Sequence, residues 1–189
     1  MKATFVLLAD DQMENAAAKL AYQADLAGDM GFLARSPFHL SLKQPFDIAD
    51  LPAVERFFDE YAASIAPVTA HFIDMILWEN NIFGEPSGVL VLKAEKTSEL
   101  AALHEGLNSQ LQMRFGDCPA AFDGEAYQFH LTFAIGGAPF SAYQKVYAEL
   151  KAAGFPKQAT FDRLGLLYYS GDEIRPGSYF CYKRARLGK

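Results

Sequence analysis

Two of the four histidines in this 189-residue chain sit in the same five-residue frame, Phe38-His39-Leu40-Ser41-Leu42 and, 91 residues further on, Phe129-His130-Leu131-Thr132-Phe133. In an extended strand residues i and i+2 share a face. His39 then falls beside Ser41 and His130 beside Thr132, while Leu40, Leu42, Leu131 and Phe133 turn to the opposite, buried face. Two imidazoles aimed at one point can act as concerted acid and base, because an ordinary imidazole pKa of about 6.5 lets one ring take a proton while the other gives one. On a phosphodiester, one ring would activate water or a ribose hydroxyl and the other would protonate the leaving oxygen. The hydroxyls of Ser41 and Thr132 would donate to the non-bridging oxygens, where charge must be stabilised. Continuing the alternation by two residues puts Lys43 on the His39 face as a cation at the edge of the site, with Ala134 in the matching place of the second motif.

Other residues read more plainly. His71 has no hydroxyl two positions on, and His104 lies at the edge of a helical apolar stripe; both are expected to be structural. Asp10-Asp11 and Asp172-Glu173 read as a helix cap and a turn rather than a carboxylate dyad. Lys183, Arg184 and Arg186 read as a solvated edge strand before a phosphate-binding one. Tyr168 and Phe180 belong to strands that can border a cleft, where an aromatic ring would stack on a nucleobase. Gly136-Gly137 lacks the Lys-Ser/Thr tail of a phosphate loop and reads as a strand end, and neither an H-E-x-x-H motif nor an acidic cluster calls for a metal or cofactor. Cys118 and Cys181 have neither zinc spacing nor enough company for a disulfide framework, so reduced thiols are expected.

The elements that must position the motifs follow from periodicity. Thr4 to Leu8 is of strand type. Asp11 and Glu14 have capping-box spacing for a helix whose apolar stripe is Met13, Ala16, Ala17, Leu20, Ala24 and Ala27 and which stops at Gly28 and Gly31. The first histidine strand, about Phe38 to Pro45, leads to a helix opened by Asp50 and Pro52 and burying Val54, Phe57, Phe58 and Tyr61. Thr69 to Trp78 and Gly88 to Ala94 form a hairpin. A third helix runs from Thr97 or Ser98 to Gly116, and Asp117 to Glu125 connects the halves. The second histidine strand, about Tyr127 to Ile135, precedes a helix stopped by Gly154, and strands at Ala159 to Tyr169 and Ser178 to Ala185 close the chain around a Ser170-Gly171-Asp172 turn.

Helix, histidine strand, helix and hairpin thus occur twice. The expected fold is α+β: a single bilobal domain over 1–189, with lobes near 30–95 and 120–189 and the N-terminal elements packed across them. Two antiparallel sheets would meet with their histidine strands side by side around a pseudo-two-fold axis and flank a central cleft, with helices on the outer faces. A 51% hydrophobic composition is ample for a core, and a net charge of −6 with pI about 5.2 opposes a long electrostatic grip on duplex DNA. No apolar run reaches the roughly 20 residues of a membrane helix. A soluble cytoplasmic monomer without membrane contact is expected.

Paired H-x-[ST]-x motifs, here His39-Leu40-Ser41-Leu42 and His130-Leu131-Thr132-Phe133, in this order of elements resemble the 2H phosphoesterase superfamily, which includes bacterial 2′,5′ RNA ligase-like proteins and RNA cyclic phosphodiesterases. The resemblance spans nearly the whole chain. It implies metal-independent hydrolysis of 2′,3′-cyclic phosphates or related phosphodiesters on a small nucleotide or RNA terminus, and in some members reversible 2′,5′ ligation. His39 and His130 would be catalytic, with Ser41, Thr132 and Lys43 holding phosphate. A nucleotide-binding regulatory module of the same fold is the alternative.

Overall fold

The computed structural model describes residues 1–28, 37–169 and 179–188. Among these, nine strands and four helices follow in the order β1 (Lys2–Leu8), α1 (Asp11–Gly28), β2 (His39–Ser41), β3 (Phe46–Asp47), α2 (Leu51–Ser64), β4 (Val68–Asn80), β5 (Ser87–Ala94), α3 (Ser98–Phe115), β6 (His130–Pro139), α4 (Phe140–Ala153), β7 (Gln158–Phe161), β8 (Arg163–Tyr169) and β9 (Phe180–Arg186). Gly31 and the Ser170-Gly171-Asp172 turn, with Asp172-Glu173, lie outside the described residues.

Local chemistry sets the helix ends. Asp50 caps α2 by accepting from the Ala53 N–H (3.0 Å), and Thr97 caps α3 by accepting from Leu100 (3.2 Å). In α1 the cap is Asp10, whose Oδ1 accepts from Met13 (2.7 Å), one residue earlier than the capping-box spacing suggests. Glu14 is thereby released to accept from the Phe38 N–H (3.2 Å), which ties α1 to the entrance of β2. Gly136-Gly137 does not end the second histidine strand, because β6 continues through both glycines to Pro139.

The strands form one nine-stranded sheet in the order β7-β4-β5-β6-β2-β1-β8-β9, with β3 added on β1. This corrects the expectation of two sheets flanking a cleft. The histidine strands do lie side by side, but they are paired: Leu40 of β2 stands opposite Leu131 of β6 in an antiparallel ladder. That pairing satisfies the backbone groups of both strands and fuses the two half-sheets into one, where two separate sheets would each leave an edge to be covered.

All four helices lie on one face. Ala17 and Leu20 of α1, Phe57 and Phe58 of α2, Leu107 and Leu111 of α3, and Tyr143 and Val146 of α4 share a single core with Phe5 and Leu7 of β1, Leu40, Leu131 and Phe133. Among the described residues the opposite face carries a small cluster of Val6, Leu8 and Leu167. Burial is therefore one-sided, and polar residues at alternate positions of the central strands remain on the open face. Phe5 is fully buried, with ring centroids 5.7–6.4 Å from those of Phe46, Phe57, Phe58 and Tyr61. Phe5→Ala should therefore cost about 3–5 kcal/mol, seen as a lower urea midpoint at unchanged m-value.

Candidate active site

The Leu40–Leu131 pairing fixes everything around it. Both leucines are fully buried against the helices, so their neighbours point to the open face. Antiparallel register then sets His39 across from Thr132 and Ser41 across from His130. Directly opposed side chains share a face, which makes a compact quartet. The two histidines sit on its diagonal, where cross-strand neighbours are about 7–8 Å apart and their β-carbons somewhat closer. The positive form of His130 is close enough to His39 to disfavour the charging of that ring.

Each ring is held in the same way. His39 Nδ1 lies 2.7 Å from the Pro37 carbonyl and His130 Nδ1 lies 2.8 Å from the Gln128 carbonyl, in both cases the residue two positions earlier. A carbonyl only accepts, so Nδ1 carries the proton and donates it, leaving Nε2 as the working nitrogen in both rings. Burial pushes the His39 pKa down from the ordinary 6.5 to about 4; the Pro37 carbonyl opposes this, and the positive form of His130 adds to it. His130 is lowered in the same direction by burial, opposed by the Gln128 carbonyl. Both rings therefore rest neutral at pH 7, with an Nε2 lone pair ready to accept a proton.

Lys43 lies elsewhere. The N–H groups of Leu42 and Lys43 both approach the Phe5 carbonyl (2.8 and 3.3 Å), two successive donors on one acceptor. This bulge ends the alternation after Ser41 and turns Leu42 and Lys43 together into the core. The Lys43 side chain is only 1% exposed; its ammonium pairs with Asp123 (2.6 Å) and donates to Asn108 of α3. The same break occurs in the second motif. The β5–β6 register steps from Val91 opposite Thr132 to Leu90 opposite Ala134, so Phe133 is the extra residue and Ala134 is buried beside it. Neither Lys43 nor Ala134 reaches the histidine face. The residues that return to that side are Gln44 and Ile135, one position later in each case, and both line the groove next to His130.

That groove was not legible from the motifs. It has a volume of about 510 Å³ and is floored by Thr132, Val89 and Ile135. Trp78 of β4 forms one wall, edge-on to the His130 ring with centroids 4.7 Å apart. Gln44, Gln128 and Phe122 belong to its rim. The only sequence signal for Trp78 is its place at strand parity beside the hairpin, opposite Val89. Tyr168 and Phe180, the aromatic residues expected at the cleft, lie on the other side of the sheet, since Tyr168 pairs with Ala3 of the core face.

On the far side of His39 the sheet is cationic. Leu8, opposite His39, is followed across the sheet by Arg163 and then Arg186, and Val6, opposite Ser41, by Gly165 and then Arg184. Arg163 and Arg184 line a smaller pocket with Asp11 and Glu14. Lys183 faces the helices instead, pairing with Asp59 (2.7 Å) and Glu55 (3.4 Å) of α2. His104 is a structural residue more deeply placed than its stripe position suggested. It is 1% exposed, stacked 3.9 Å from Tyr127, and engaged by the Leu42 carbonyl at Nδ1 and the Gly124 N–H at Nε2. Cys118 and Cys181 are both free thiols. Among the described residues no group of three or more His, Cys, Asp or Glu side chains is arranged to hold a metal ion, and no helix is long and apolar enough to cross a membrane.

Comparison with known proteins decides the family. The family model for the 2′-5′ RNA ligase superfamily matches residues 9–173, which include both histidine motifs. The chain belongs to the 2′-5′ RNA ligase superfamily. Curated relatives of this superfamily member include a putative phosphoesterase of Bacillus pumilus, 28% identical over 155 residues (81% of each chain), and one of a Geobacillus species, 29% identical over 153 residues (80% and 79%). A Thermus thermophilus structure superposes with a TM-score of 0.63 at 17% identity, covering 100% of this chain and 98% of the other. Escherichia coli LigT complexed with 3′-AMP gives 0.57 at 15% identity over the same shares. At such identities the structures establish a common fold, and the family match makes this superfamily member a phosphoesterase-type hydrolase.

The depressed His39 pKa carries a stability signature. Between about 6.5 and about 4 the unfolded chain binds a proton at this position that the folded chain refuses. Stability is full above pH 6.5 and falls as pH drops toward 4. His39→Asn should flatten that slope, read as urea midpoints measured from pH 7.5 to 4.5; equal slopes in parent and variant would contradict the buried neutral ring.

Proposed function

We propose that this protein hydrolyses 2′,3′-cyclic phosphates, or related phosphodiesters at nucleotide and RNA ends, with His39 and His130 as the acid–base pair and without a metal. The observation that carries this reading is the shared anchoring of the two rings, each with Nδ1–H held by the carbonyl two residues earlier and Nε2 left to work on the open face. One neutral Nε2 takes the proton of the attacking water as it forms a bond to phosphorus. The other ring, protonated once an anionic phosphate lies beside it, gives its proton to the departing ribose oxygen. Ser41 and Thr132 donate to the non-bridging oxygens in the same quartet. With a 5′-hydroxyl in place of water, one ring takes its proton as the O5′–P bond forms and the other protonates O3′ as the P–O3′ bond of the cyclic phosphate breaks, leaving a 2′,5′ linkage; the reverse step restores the cyclic phosphate.

The ligands named for a similar structure support a nucleotide as substrate, since Escherichia coli LigT has been crystallised with 3′-AMP, NADP+ and ATP. Lys43 is assigned a structural role in this reading, because its ammonium is already paired with Asp123.

Turnover of nucleoside 2′,3′-cyclic phosphates should survive EDTA and fall about 10²–10⁴-fold in either His39→Ala or His130→Ala. Loss of activity on chelation, restored by a divalent ion, would overturn the mechanism. Because one ring must be charged in the working state and both hold protons weakly, kcat/KM should peak on the acid side of neutrality. A peak above pH 8 would contradict the assignment.

A further inference from the structure

The groove beside His130 has a chemistry of its own. Among the described residues none of its lining side chains is an Asp, Glu, Lys or Arg. Its walls are apolar or aromatic; besides His130 and Thr132, which it shares with the quartet, and the Tyr127 hydroxyl, which already donates to the Ser41 carbonyl, its polar groups are the amides of Gln44, Asn80 and Gln128. Such a surface suits an uncharged planar ring with donors and acceptors on its edge. Away from His130 it suits a phosphate or a sugar–phosphate chain poorly, because no Asp, Glu, Lys or Arg side chain lines it to balance charge.

Phe122 gives the second observation. It is 76% exposed, and its backbone lies at φ 64°, the left-handed region that bulky residues avoid. The turn behind it holds it there. Asp123, the next residue, is drawn inward by the buried Lys43 ammonium. The Gly124 N–H donates to His104, and the Gly124 carbonyl accepts from Tyr127. Two inward ties and one turn hydrogen bond within residues 123–127 thus present a large apolar ring at the rim of the groove, in an unfavourable solvent exposure and an unfavourable backbone conformation. Residues kept in such conformations concentrate where a ligand is clamped.

We infer that Phe122 and Trp78 form the two sides of a nucleobase clamp, which takes the base of the nucleoside whose phosphate lies between His39 and His130. The inference rests on the hydrolase reading above and adds a direction to it. The base lies toward β4 and β5, over Val89 and Ile135, and the remainder of a longer substrate leaves across β1 toward Arg163 and Arg184. The amides can each donate or accept, so the clamp accepts different bases and discriminates chiefly between having a base and having none. Lys43 becomes a positioning residue for Phe122, acting through Asp123.

Trp78 is the chain's single tryptophan, so the clamp contains its own reporter. Adenosine 3′-monophosphate should quench its emission saturably, whereas ribose 5-phosphate at equal concentration should not. In kinetics, the parent should prefer adenosine 2′,3′-cyclic phosphate over methyl riboside 2,3-cyclic phosphate, which lacks a base. Phe122→Ala should reduce that kcat/KM ratio about tenfold, and Phe122→Tyr should keep it. A ratio unchanged in Phe122→Ala, or a parent indifferent to the base, overturns the clamp while leaving the hydrolase intact. If the parent turns over neither substrate, the hydrolase reading fails, and the emission data alone judge the clamp: a response to the nucleotide only upholds it, and an equal response or none overturns it.

Discussion

The structure depends on one contact between strands, the pairing of Leu40 with Leu131 at the middle of the sheet. It is a short ladder, since β2 has only three residues. Yet it joins the half built on β1, β8 and β9 to the half built on β4, β5 and β7. Its two leucines must face the helices to be buried, and this forces His39, Ser41, His130 and Thr132 to the other side. A slip of one residue in this register would put the histidines into the core and the leucines into water, a change no neighbouring contact could offset. The hydrophobic core therefore holds the site in register without touching a substrate.

The same strands must also stop alternating. After each hydroxyl residue a bulge turns two successive side chains inward, Leu42 with Lys43 and Phe133 with Ala134. In the second half this adds an aromatic ring and a methyl group to the core. In the first half it buries a lysine, which is tolerable only because Asp123 and Asn108 receive its ammonium. The consequence is long-range: the segment carrying Asp123 is tied to the first motif, and it is the segment that leads into the second. Tyr127 strengthens the tie by donating to the Ser41 carbonyl (3.0 Å) and stacking on His104. The two halves of the site are thus linked through the core side as well as through the sheet.

Across the open face the environment changes in order. Apolar and amide side chains border His130, the imidazoles and hydroxyls occupy the centre, and arginines balanced by Asp11 and Glu14 lie beyond His39. A duplicated pattern of elements has therefore produced a site whose two sides differ. The difference comes from residues outside the two histidine motifs, above all Trp78 in the hairpin and Phe122 in the connection.

The sequence by itself determined the four helices and most of the strands, the two histidine motifs, their hydroxyl partners and the family they resemble, because these depend on local spacing: period two in strands, 3.6 in helices, and caps within one turn; it missed the short β3 and the division of the Ala159 to Tyr169 run into β7 and β8, which pair with β4 and β1. It also pointed to the histidine strands lying side by side. Only the tertiary structure decided that the strands pair into one sheet, since backbone hydrogen bonding between residues 91 positions apart leaves no local trace. The fate of Lys43 was hidden for a related reason. Strict alternation placed it with His39, and a bulge created by the Phe5 carbonyl of another strand turned it away. The same holds for the groove, whose walls come from three separate segments, and for His104, whose depth depends on Tyr127 and Gly124. Local pattern specifies which side chains can do chemistry, and the neighbours supplied by folding decide which of them face the same space.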